Sequence, residues 1–304
     1  MKPSRKTGPA LLAAGLAIAF AQAAHAGWRE DLGTFRIGML ADPGTGRLVA
    51  GLSDIRKAFS AALGMPVQVF VARDYAALID AHATSRVDYA VYSATAYATA
   101  RRLCDCVEPL VARQGTDGDI GIRAVLIVRK SALDGDGGVG KARIALPGGD
   151  SVAGALLPAV ALDGPGGVAG LSRDRLIEAS GDGDAVDRLA KGTADGLFGW
   201  SSAGETSDVM TGTGTFAQLA EAGIEASDLK LEWRSDLLRY GPHAVRSDLD
   251  GEAKALLRAF LTGLVDDKPD IQELLSGSQD DRFVAVTADD YKLADDMVGS
   301  IAAN

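Results

Sequence analysis

The segment Ala145–Pro158 carries the residues best placed for ligand chemistry. It reads ALPGGDSVAGALLP, in which an apolar run breaks at Gly148-Gly149 and a helical pattern starts at Asp150-Ser151. The first backbone N–H groups of a helix lack partners within the helix and lie at the positive end of its dipole, so they can bind an anion. Asp150 or Ser151 can instead simply cap the helix. The segment alone leaves anion binding and capping open.

The other reactive side chains form no pattern typical of catalysis or of a metal site. Ser151 lies in no GxSxG nucleophile elbow, and its sequence context offers no His or Asp relay. His82 and His243, the two histidines after residue 26, have no metal-ligand spacing. Trp200 follows an apolar run and precedes two serines, which suits either a wall around a ligand or the core. We therefore expect no enzyme, no metal and no cofactor.

Residues 1–26 have the features of a secretory signal. Three basic residues precede the apolar run Leu11–Ala21, and the small residues Ala24 and Ala26 provide a cleavage site before Gly27. The apolar run is too short to span a bilayer comfortably. The sequence therefore predicts a cleaved signal peptide and a periplasmic mature protein.

The chain is acidic, with a formal net charge of −10. Residues 1–26 hold three basic and no acidic residues, so their removal makes the mature chain more negative by three. An acidic surface disfavours nucleic acid and anionic membranes as partners. It does not select among small ligands, because a cleft can differ in sign from the whole surface. The mature length suffices for two lobes, and no internal repeat is evident in the sequence.

Cys104 and Cys106 are the only cysteines of the chain. A close pair in an exported protein is expected to be oxidised, so a disulfide is the structural interpretation. The functional alternative is a thiolate pair that binds a soft metal or trivalent arsenic. A lone CxC lacks the further ligands of a closed zinc site.

Apolar runs and helical patterns alternate from Phe35 onward, which is typical of mainly parallel sheets covered by helices. The predicted strands are Phe35–Leu40, Val67–Val71, Val87–Val91, Ala142–Leu146, Arg175–Ala179, Gly196–Phe198, Leu229–Trp233 and His243–Val245. The predicted helices are Arg47–Leu63, Tyr75–Ala83, Ala94–Leu103, Ser151–Leu162, Asp184–Lys191, Gly251–Leu264 and Asp289–Val298. Val107–Ala112 and Ile120–Arg129 are predicted to be extended connections. The pattern predicts an α/β protein of two lobes that close around a ligand at the carboxyl ends of the strands.

Eight segments occur in an order and spacing that resembles one known family. They are ARDYAALIDA (72–81), RVDYAVYSATAYATA (86–100), CVEPLVA (106–112), GIRAVLIVRKSAL (121–133), DSVAGALLP (150–158), RLAKGTADG (188–196), WRSDLLRYGPHAVRSDL (233–249) and FVAVTADDY (283–291). The family is the PhnD-like phosphate, phosphite and phosphonate binding proteins of ABC importers. The resemblance implies the type 2 periplasmic binding fold, with residues 33–113 and 236–304 in lobe 1, residues 114–235 in lobe 2 and a ligand cleft between them.

The resemblance also implies a set of ligand contacts. The family's Ser, Thr, Ser and Gly run, which holds the oxygens on phosphorus, falls on four positions here: Ser151, Val152, Ala153 and Gly154. The first hydroxyl and the glycine are kept, and the other two hydroxyls are lost. The family's aromatic contacts in lobe 1 fall on Tyr75 and Tyr92, and Tyr92 is followed by Ser93.

Asp182 departs from the family pattern. A histidine or similar donor is usual at the start of the next helix, where this chain has GDGD at 181–184. A carboxylate at this position would repel a phosphonate dianion, although Asp182 and Asp184 can also serve as helix caps. We expect a changed or relaxed specificity, which leaves a neutral or cationic solute open.

The resemblance implies a periplasmic solute-binding protein of an ABC importer that traps a small oxyanion or phosphonate-like ligand by lobe closure. Its partners would be the small-molecule ligand and an ABC permease in the inner membrane, and we expect a monomer. The alternative is a sensory binding protein that presents its ligand to a membrane histidine kinase, as arsenite-sensing relatives of the family do. The pair Cys104 and Cys106 motivates this alternative.

Overall fold

The computed structural model describes residues 27–41, 47–134, 138–148, 151–163, 168, 170–204 and 212–303. The predicted signal peptide, Gly149 and Asp150 lie outside the described residues. The described strands are β1 (Phe35–Leu40), β2 (Val67–Ala72), β3 (Tyr89–Val91), β4 (Val107–Gln114), β5 (Gly121–Arg129), β6 (Ile144–Pro147), β7 (Leu176–Ala179), β8 (Gly196–Ala203), β9 (Leu229–Arg234), β10 (Leu238–Arg239), β11 (Pro242–Arg246) and β12 (Arg282–Ala285). The described α-helices are α1 (Trp28–Leu32), α2 (Arg47–Leu63), α3 (Tyr75–Ala83), α4 (Ala94–Cys104), α5 (Leu157–Asp163), α6 (Asp182–Ala190), α7 (Gly214–Glu221), α8 (Gly251–Asp267), α9 (Pro269–Ser276) and α10 (Lys292–Ala303).

Two mixed sheets organise the fold. The first sheet has the order β12-β4-β11-β3-β1-β2, and the second has the order β10-β5-β8-β6-β7 with β9 also paired to β5. In each sheet three strands run parallel, namely β2, β1 and β3 in the first and β7, β6 and β8 in the second. The neighbouring β11 and β5 join them antiparallel. The predicted α/β architecture of two sheets with helices is confirmed, and the parallel part of each sheet is limited to three strands.

The two sheets contain a structural repeat that the sequence does not show. In both, the first strand of the parallel part lies between the other two. Arg36 of β1 donates to Asp88 through its backbone N and its Nε, each at 2.9 Å. Arg143, just before β6, donates to Asp195 through the same two groups at 2.9 and 3.0 Å. The separation along the chain is 52 residues in both pairs, so the repeat is one of strand order and ion-pair position.

The chain crosses between the sheets twice. It leaves the first sheet after β4 and enters the second at β5, and it returns between β10 and β11. Gly241 lies in the return segment, where an added Cβ would stand 1.8 Å from the carbonyl oxygen of Tyr92. A side chain at this position would therefore push the return segment away from the first sheet. The lobe boundaries predicted at 113/114 and 235/236 lie close to these crossings, with β10 of the second sheet just beyond the later one.

Apolar side chains pack the outer helices against the first sheet. Ile55, Phe59 and Leu63 of α2 meet Leu257 and Leu261 of α8, and all five are fully buried. Burial of such a side chain is worth about 1.5 to 3 kcal/mol. The spacing of the apolar side chains along α2 thus selects the face that the helix buries.

A further apolar cluster spans elements of both sheets. It contains Tyr92 and Tyr97, at the end of β3 and in α4, together with Ala153 and Leu157, which follow β6. Tyr97 also packs edge to face on Tyr291, with ring centroids 4.9 Å apart. The two halves of the molecule therefore share an apolar contact.

Local signals predicted the early elements well. The strands and helices predicted between Phe35 and Leu103 are confirmed, with ends that differ by at most two residues. Asp74 accepts a hydrogen bond from the Ala77 backbone N at 2.7 Å, and Ser93 accepts one from the Ala96 N at 3.1 Å. These caps fix the starts of α3 and α4.

Several segments differ from the sequence prediction. Val107–Ala112 lies in strand β4, and Gly121–Arg129 of the second predicted connection forms strand β5. Both segments are paired strands, because antiparallel partners from distant parts of the chain pair with them. Strand β8 continues to Ala203, past the predicted end at Phe198. Short elements that the pattern did not predict are α1, α7, α9, β10 and β12.

The helix predicted at Ser151–Leu162 begins with a wide turn. Residues Val152–Leu156 form a π-helical turn, which continues as α5. Pro158 has no N–H to donate to the carbonyl of Gly154, and its ring would collide with that carbonyl in a regular α-helix. The wider turn is consistent with this proline, and π turns are frequent at functional sites.

Candidate ligand site

A cavity of about 320 Å³ lies where elements of the two sheets meet. It is lined by Arg113, Ile122, Ser151, Val152, Ala153, Asp182, Trp200, Ser202 and Tyr240. Pockets for small molecules usually measure roughly 300 to 1,000 Å³. The cavity is therefore suited to a solute of few atoms.

Strand pairing explains why distant residues share this cavity. Strands β6 and β7 are parallel neighbours, and the Gly148 N donates to the Ala179 carbonyl at 2.7 Å just beyond the paired residues. The segments that lead to Ser151 and Asp182 therefore leave the sheet at the same edge. Carboxyl ends of parallel strands are the usual place for a ligand in such folds.

The hydroxyl of Ser151 is engaged on both sides. It donates to Oδ1 of Asp182 at 3.0 Å and accepts from the backbone N of Gly154 at 2.9 Å. A hydroxyl has one proton to donate. A ligand oxygen can take that proton from Ser151 only if the bond to Asp182 breaks.

Gly154 supports Ser151 and does not line the cavity. Its added Cβ would stand 2.6 Å from the Ser151 Oγ and 2.8 Å from the Pro147 Cγ. Such distances are too short for any side chain, so the glycine lets the helix start close over β6. The run predicted at 151–154 thus divides into three lining residues and one packing residue.

The two acidic residues at the start of α6 have different surroundings. Asp184 accepts from the Ser180 N at 2.9 Å and pairs with Arg188 Nε at 3.1 Å. The bond from the Ser180 N has the larger effect and the bond from Arg188 the next, and both hold the pKa of the Asp184 carboxyl below its ordinary value. Asp182 makes no cap bond to its own helix, whose N-cap is Gly181. The capping interpretation therefore suits Asp184, and Asp182 faces the cavity.

Arg113 is the cationic side chain of the lining. Its Nη1 lies 3.0 Å from Asp281 Oδ2 and its Nη2 lies 3.7 Å from Asp119 Oδ2. The guanidinium carbon stands 4.0 Å from the ring centroid of Tyr240. The Tyr240 hydroxyl donates to Asp119. Burial, as the larger cause, and this hydrogen bond both raise the pKa of the Tyr240 hydroxyl. Two carboxylates thus already balance the charge of Arg113.

Sequence reasoning did not find Arg113, Ile122, Ser202 or Tyr240 as lining residues. Ile122 and Ser202 are register partners across β5 and β8. Arg113 lies near the end of β4, and Tyr240 lies in the return segment. The sequence did carry a signal for Arg113 and Tyr240, because both lie near the predicted lobe boundaries, and residues at such boundaries border the cleft of a two-lobed protein.

Trp200 lines the cavity and also packs against the apolar cluster that spans the two sheets. Its backbone N donates to Thr215 Oγ1 at 2.9 Å, which fixes that part of β8. Trp200 and Ser202 are two residues apart on one strand, so both face the same side. Trp200 therefore has both positions that the sequence left open, at the wall of the cavity and against the apolar core.

The aromatic residues predicted from lobe 1 are not brought into this cavity. Tyr92 is buried, and its hydroxyl lies 3.1 Å from Nδ1 of His82, over which its ring is stacked. Tyr75 and Ser93 line a separate surface groove between α3 and α4, about 510 Å³ in volume, which ends at the exposed Leu103. These three predicted contacts are therefore absent from the lining of the cavity, although Tyr92 and Tyr75 pack in the apolar cluster that also contains Val152 and Ala153.

Both described histidines are buried inside the first sheet's half of the molecule. Burial, followed by the charge of Arg246, lowers the pKa of His82 to about 4. Burial lowers the pKa of His243 to about 3, and its Nδ1 is hydrogen-bonded to the Tyr89 hydroxyl. These contacts are with residues of the same half of the molecule and hold the two histidines inside it.

Cys104 and Cys106 are joined in a disulfide, with Cα atoms 5.0 Å apart. Both are partly buried at the far end of α4 from Ser93, and neither lines the cavity at Ser151. In this oxidised form the pair offers no thiolates to arsenite. The described residues contain no group of three or more His, Cys, Asp or Glu side chains placed to hold a metal ion. Nor does any helix among them have the length and apolarity needed to cross a membrane.

Two mixed sheets flanked by helices, two chain crossings between the sheets and a small cavity at the junction of the sheets are the features of a two-lobed solute-binding protein. The family model described as "ABC transporter, phosphonate, periplasmic substrate-binding protein" matches residues 37–291. The chain therefore belongs to this phosphonate-binding family of periplasmic substrate-binding proteins.

Solved structures agree with the fold. PhnD1 from Prochlorococcus marinus, in complex with methylphosphonate, is 17% identical with a TM-score of 0.52, over 90% of this chain and 100% of the other. XAC2383 from Xanthomonas citri, bound to chloride ion, is 14% identical with a TM-score of 0.56, over 89% of this chain and 99% of the other. The protein Mh-p37 from Mycoplasma hyorhinis is 10% identical with a TM-score of 0.51, over 90% and 99%. At these identities the likeness establishes the fold and not the ligand.

Proposed function

We propose that this chain binds a small acidic solute, of the oxyanion or phosphonate type, and delivers it to the permease of an ABC importer. The observation that carries the proposal is the composition of the cavity, which joins Arg113 and Tyr240 to Ser151, Trp200 and Ser202 from the second sheet. A ligand there contacts both halves of the molecule. Family membership supports a small-molecule ligand and a membrane permease as partners.

Arg113 is the proposed anchor for the acid group. Its side chain is about one-third exposed, at 33%. A guanidinium has five N–H donors in a fork that matches an acid group. The hydrogen bond to Asp281 and the ion pair with Asp119 use only part of this capacity, so a ligand oxygen can be added without breaking them.

Lobe closure is the proposed mechanism of capture. The two crossings, between β4 and β5 and between β10 and β11, are the covalent links between the sheets, and such links act as hinges in two-lobed binding proteins. The proposed lobes are residues 33–113 with 236–304, and residues 114–235. We further propose export by the signal peptide at 1–26 and a monomeric periplasmic protein.

Calorimetry with the purified protein tests the ligand class. Phosphate, phosphite, methylphosphonate and ethylphosphonate are titrated into the wild type and into the Arg113→Gln variant. At least one is expected to bind the wild type and to bind R113Q at least about tenfold more weakly, since a hydrogen bond to a charged group is worth about 1.5 to 3 kcal/mol. Lys191→Gln, which removes a cation at the exposed end of α6, is the matched control. No heat with any of these acids would overturn the proposed ligand class and leave the fold unaffected.

A further inference from the structure

Arg113, the proposed anchor for the acid group, is contacted by residues from three different parts of the chain. Its Nη1 lies 3.0 Å from Oδ2 of Asp281, which directly precedes β12. Its Nη2 lies 3.7 Å from Oδ2 of Asp119, in the crossing between β4 and β5. The guanidinium carbon stands 4.0 Å from the ring centroid of Tyr240, in the return crossing. The orientation of the anchor therefore depends on both crossings.

Asp119 connects the other two members of this group. The Tyr240 hydroxyl donates to Oδ2 of Asp119, which is also the oxygen nearest to Arg113. The side chain of Asp119 is only 13% exposed, and Asp119 is absent from the lining of the cavity. One carboxylate thus holds the ring beside the guanidinium and also supplies the guanidinium with an opposite charge. Asp119 is therefore placed to act on a ligand through Arg113 and Tyr240, without touching the ligand.

A tight turn brings Asp119 back toward the end of β4. The backbone N of Gly115 donates to the Asp119 carbonyl at 2.8 Å, and the Gly118 N donates to the Gly115 carbonyl at 3.0 Å. Gly118 has a φ of +80°, which glycine adopts without strain. An added Cβ at Gly115 would stand 1.9 Å from Oδ1 of Asp119, so a side chain at this position would displace the carboxylate. The two glycines thus allow Asp119 to reach Arg113.

The return crossing is fixed on both sides of Tyr240. The Tyr240 N donates to the Ile120 carbonyl at 3.0 Å, which joins the two crossings through their backbones. The Tyr240 carbonyl accepts from the hydroxyl of Tyr291 at 2.9 Å, and Tyr291 is buried. The bond between Tyr240 and Asp119 is therefore a second link between the crossings, made by side chains that end at the anchor.

We propose that Asp119 is a positioning residue, which holds Arg113 and Tyr240 in the orientation that receives the acid group of the ligand. This inference rests on the proposed function of the same cavity. Without the Asp119 carboxylate, the guanidinium loses a charged partner and the support of a fixed ring. It must then be ordered when the ligand binds, and ordering a long side chain reduces affinity.

The first measurement needs no ligand. In protein labelled with ¹⁵N-arginine, the heteronuclear NOE of the Arg113 Nε–H group reports motion on the ps–ns timescale, and the signal is identified by its loss in the Arg113→Gln variant. Arg113 is expected to be rigid in the wild type and mobile in the Asp119→Ala variant. Asp117→Ala is the matched control, because it removes a carboxylate from an exposed position of the same turn. Equal rigidity of Arg113 in the wild type and in D119A would overturn the proposal.

Thermal unfolding checks that each variant is folded. Asp119→Asn is a second variant that keeps an oxygen for the Tyr240 hydroxyl and removes only the charge. It is expected to leave Arg113 with a mobility between those of the wild type and D119A, and it serves alone if D119A does not fold. An Arg113 signal in D119N identical to that of the wild type would show that the charge of Asp119 has no part in holding the guanidinium, which would also overturn the proposal.

The second measurement tests the effect on the ligand. Among phosphate, phosphite, methylphosphonate and ethylphosphonate, the acid that the wild type binds most tightly is titrated by calorimetry. D119A is expected to bind it about 3- to 10-fold more weakly, and D117A within about twofold of the wild type. When Arg113→Gln is already present, adding D119A is expected to change the affinity by less than about twofold, because Asp119 acts through Arg113.

The outcomes separate this inference from the proposed function. Unchanged binding by D119A would overturn the proposal, and tighter binding would show that Asp119 mainly repels the anion. The same loss of affinity with and without Arg113 would also overturn it, because Asp119 would then act independently of the anchor. No binding of any of the four acids by the wild type would overturn the proposed ligand class, while the mobility of Arg113 would still decide whether Asp119 positions it.

Discussion

Ser151 donates to Asp182 across 3.0 Å and thereby links the segments that follow two parallel strands, β6 and β7. The same hydroxyl accepts from the Gly154 N, so one side chain caps a helix start and fixes a carboxylate of the cavity. We therefore expect the stability of this turn and the affinity for a ligand in the cavity to be coupled through Ser151.

The Ser151→Ala variant is expected to lose both stability and affinity. Loss of an N-cap hydroxyl costs about 0.5 to 2 kcal/mol, and Asp182 loses its donor. Urea unfolding measures the free energy of unfolding, and calorimetry measures ligand affinity. Ser93→Ala removes a similar cap from α4, outside the cavity, and is expected to reduce stability alone. An S151A protein as stable as the wild type would contradict the capping role.

The Gly154→Ala variant is expected to be destabilised by about 1 to 3 kcal/mol. Its Cβ would lie within 2.6 to 2.9 Å of Ser151 and Pro147, so the helix start must shift. Gly183 is the matched control, because an added Cβ at this position in α6 meets nothing within 4 Å. Gly183→Ala is expected to gain about 0.5 to 1 kcal/mol from helix propensity. Urea unfolding distinguishes the two, and a G154A protein of wild-type stability would show that the close packing is unimportant.

Acidification is expected to destabilise the protein through its buried histidines. The pKa of His82 is about 4 and that of His243 about 3 in the folded chain, against 6.5 for an ordinary histidine. The unfolded chain then binds more protons, so the free energy of unfolding falls as the pH drops below 6.5 and continues to fall toward 4. Each histidine contributes at most about 1.4 kcal/mol per pH unit.

Urea unfolding at pH 7, 6 and 5 measures this dependence above the range in which carboxylates with lowered pKa, such as Asp184, begin to be protonated. The His82→Gln variant should show a shallower dependence than the wild type, because one of the two groups is removed. Equal stability at pH 7 and pH 5 would contradict the prediction.

The repeated ion pairs are expected to differ in strength because they differ in burial. The side chain of Asp88 is 1% exposed and accepts from the guanidinium and from the backbone N of Arg36. The side chain of Asp195 is 28% exposed. Asp88→Ala leaves Arg36 without its partner in a partly buried site and should cost about 3 to 5 kcal/mol. Asp195→Ala should cost about 1 kcal/mol, since water replaces the lost contacts with Arg143. Chemical unfolding of the two variants compares them directly, and equal losses would show that burial does not set the difference.

Much of the local structure could be predicted from the sequence. The strand β1, the helix α2 and the cap of α3 at Asp74 follow from apolar spacing and from one side-chain oxygen, which act over a few residues. The family was also predicted from eight short segments, and the family model confirms it. The structural repeat was missed because strand order and one ion pair recur, and the pattern of side chains does not.

The sequence by itself determined where most of the longer strands and helices form and which family the chain belongs to, because those properties reside in neighbouring residues. Only the tertiary structure decided which candidates share a cavity. Ser151 and Asp182 meet across 31 residues because β6 and β7 pair, and Arg113 and Tyr240 join them because the chain crosses between sheets twice. Tyr92 does not line the cavity, and its hydroxyl instead contacts His82, a partner that no local pattern indicates. Strand pairing and burial act through space, so the choice of partner was not readable along the chain.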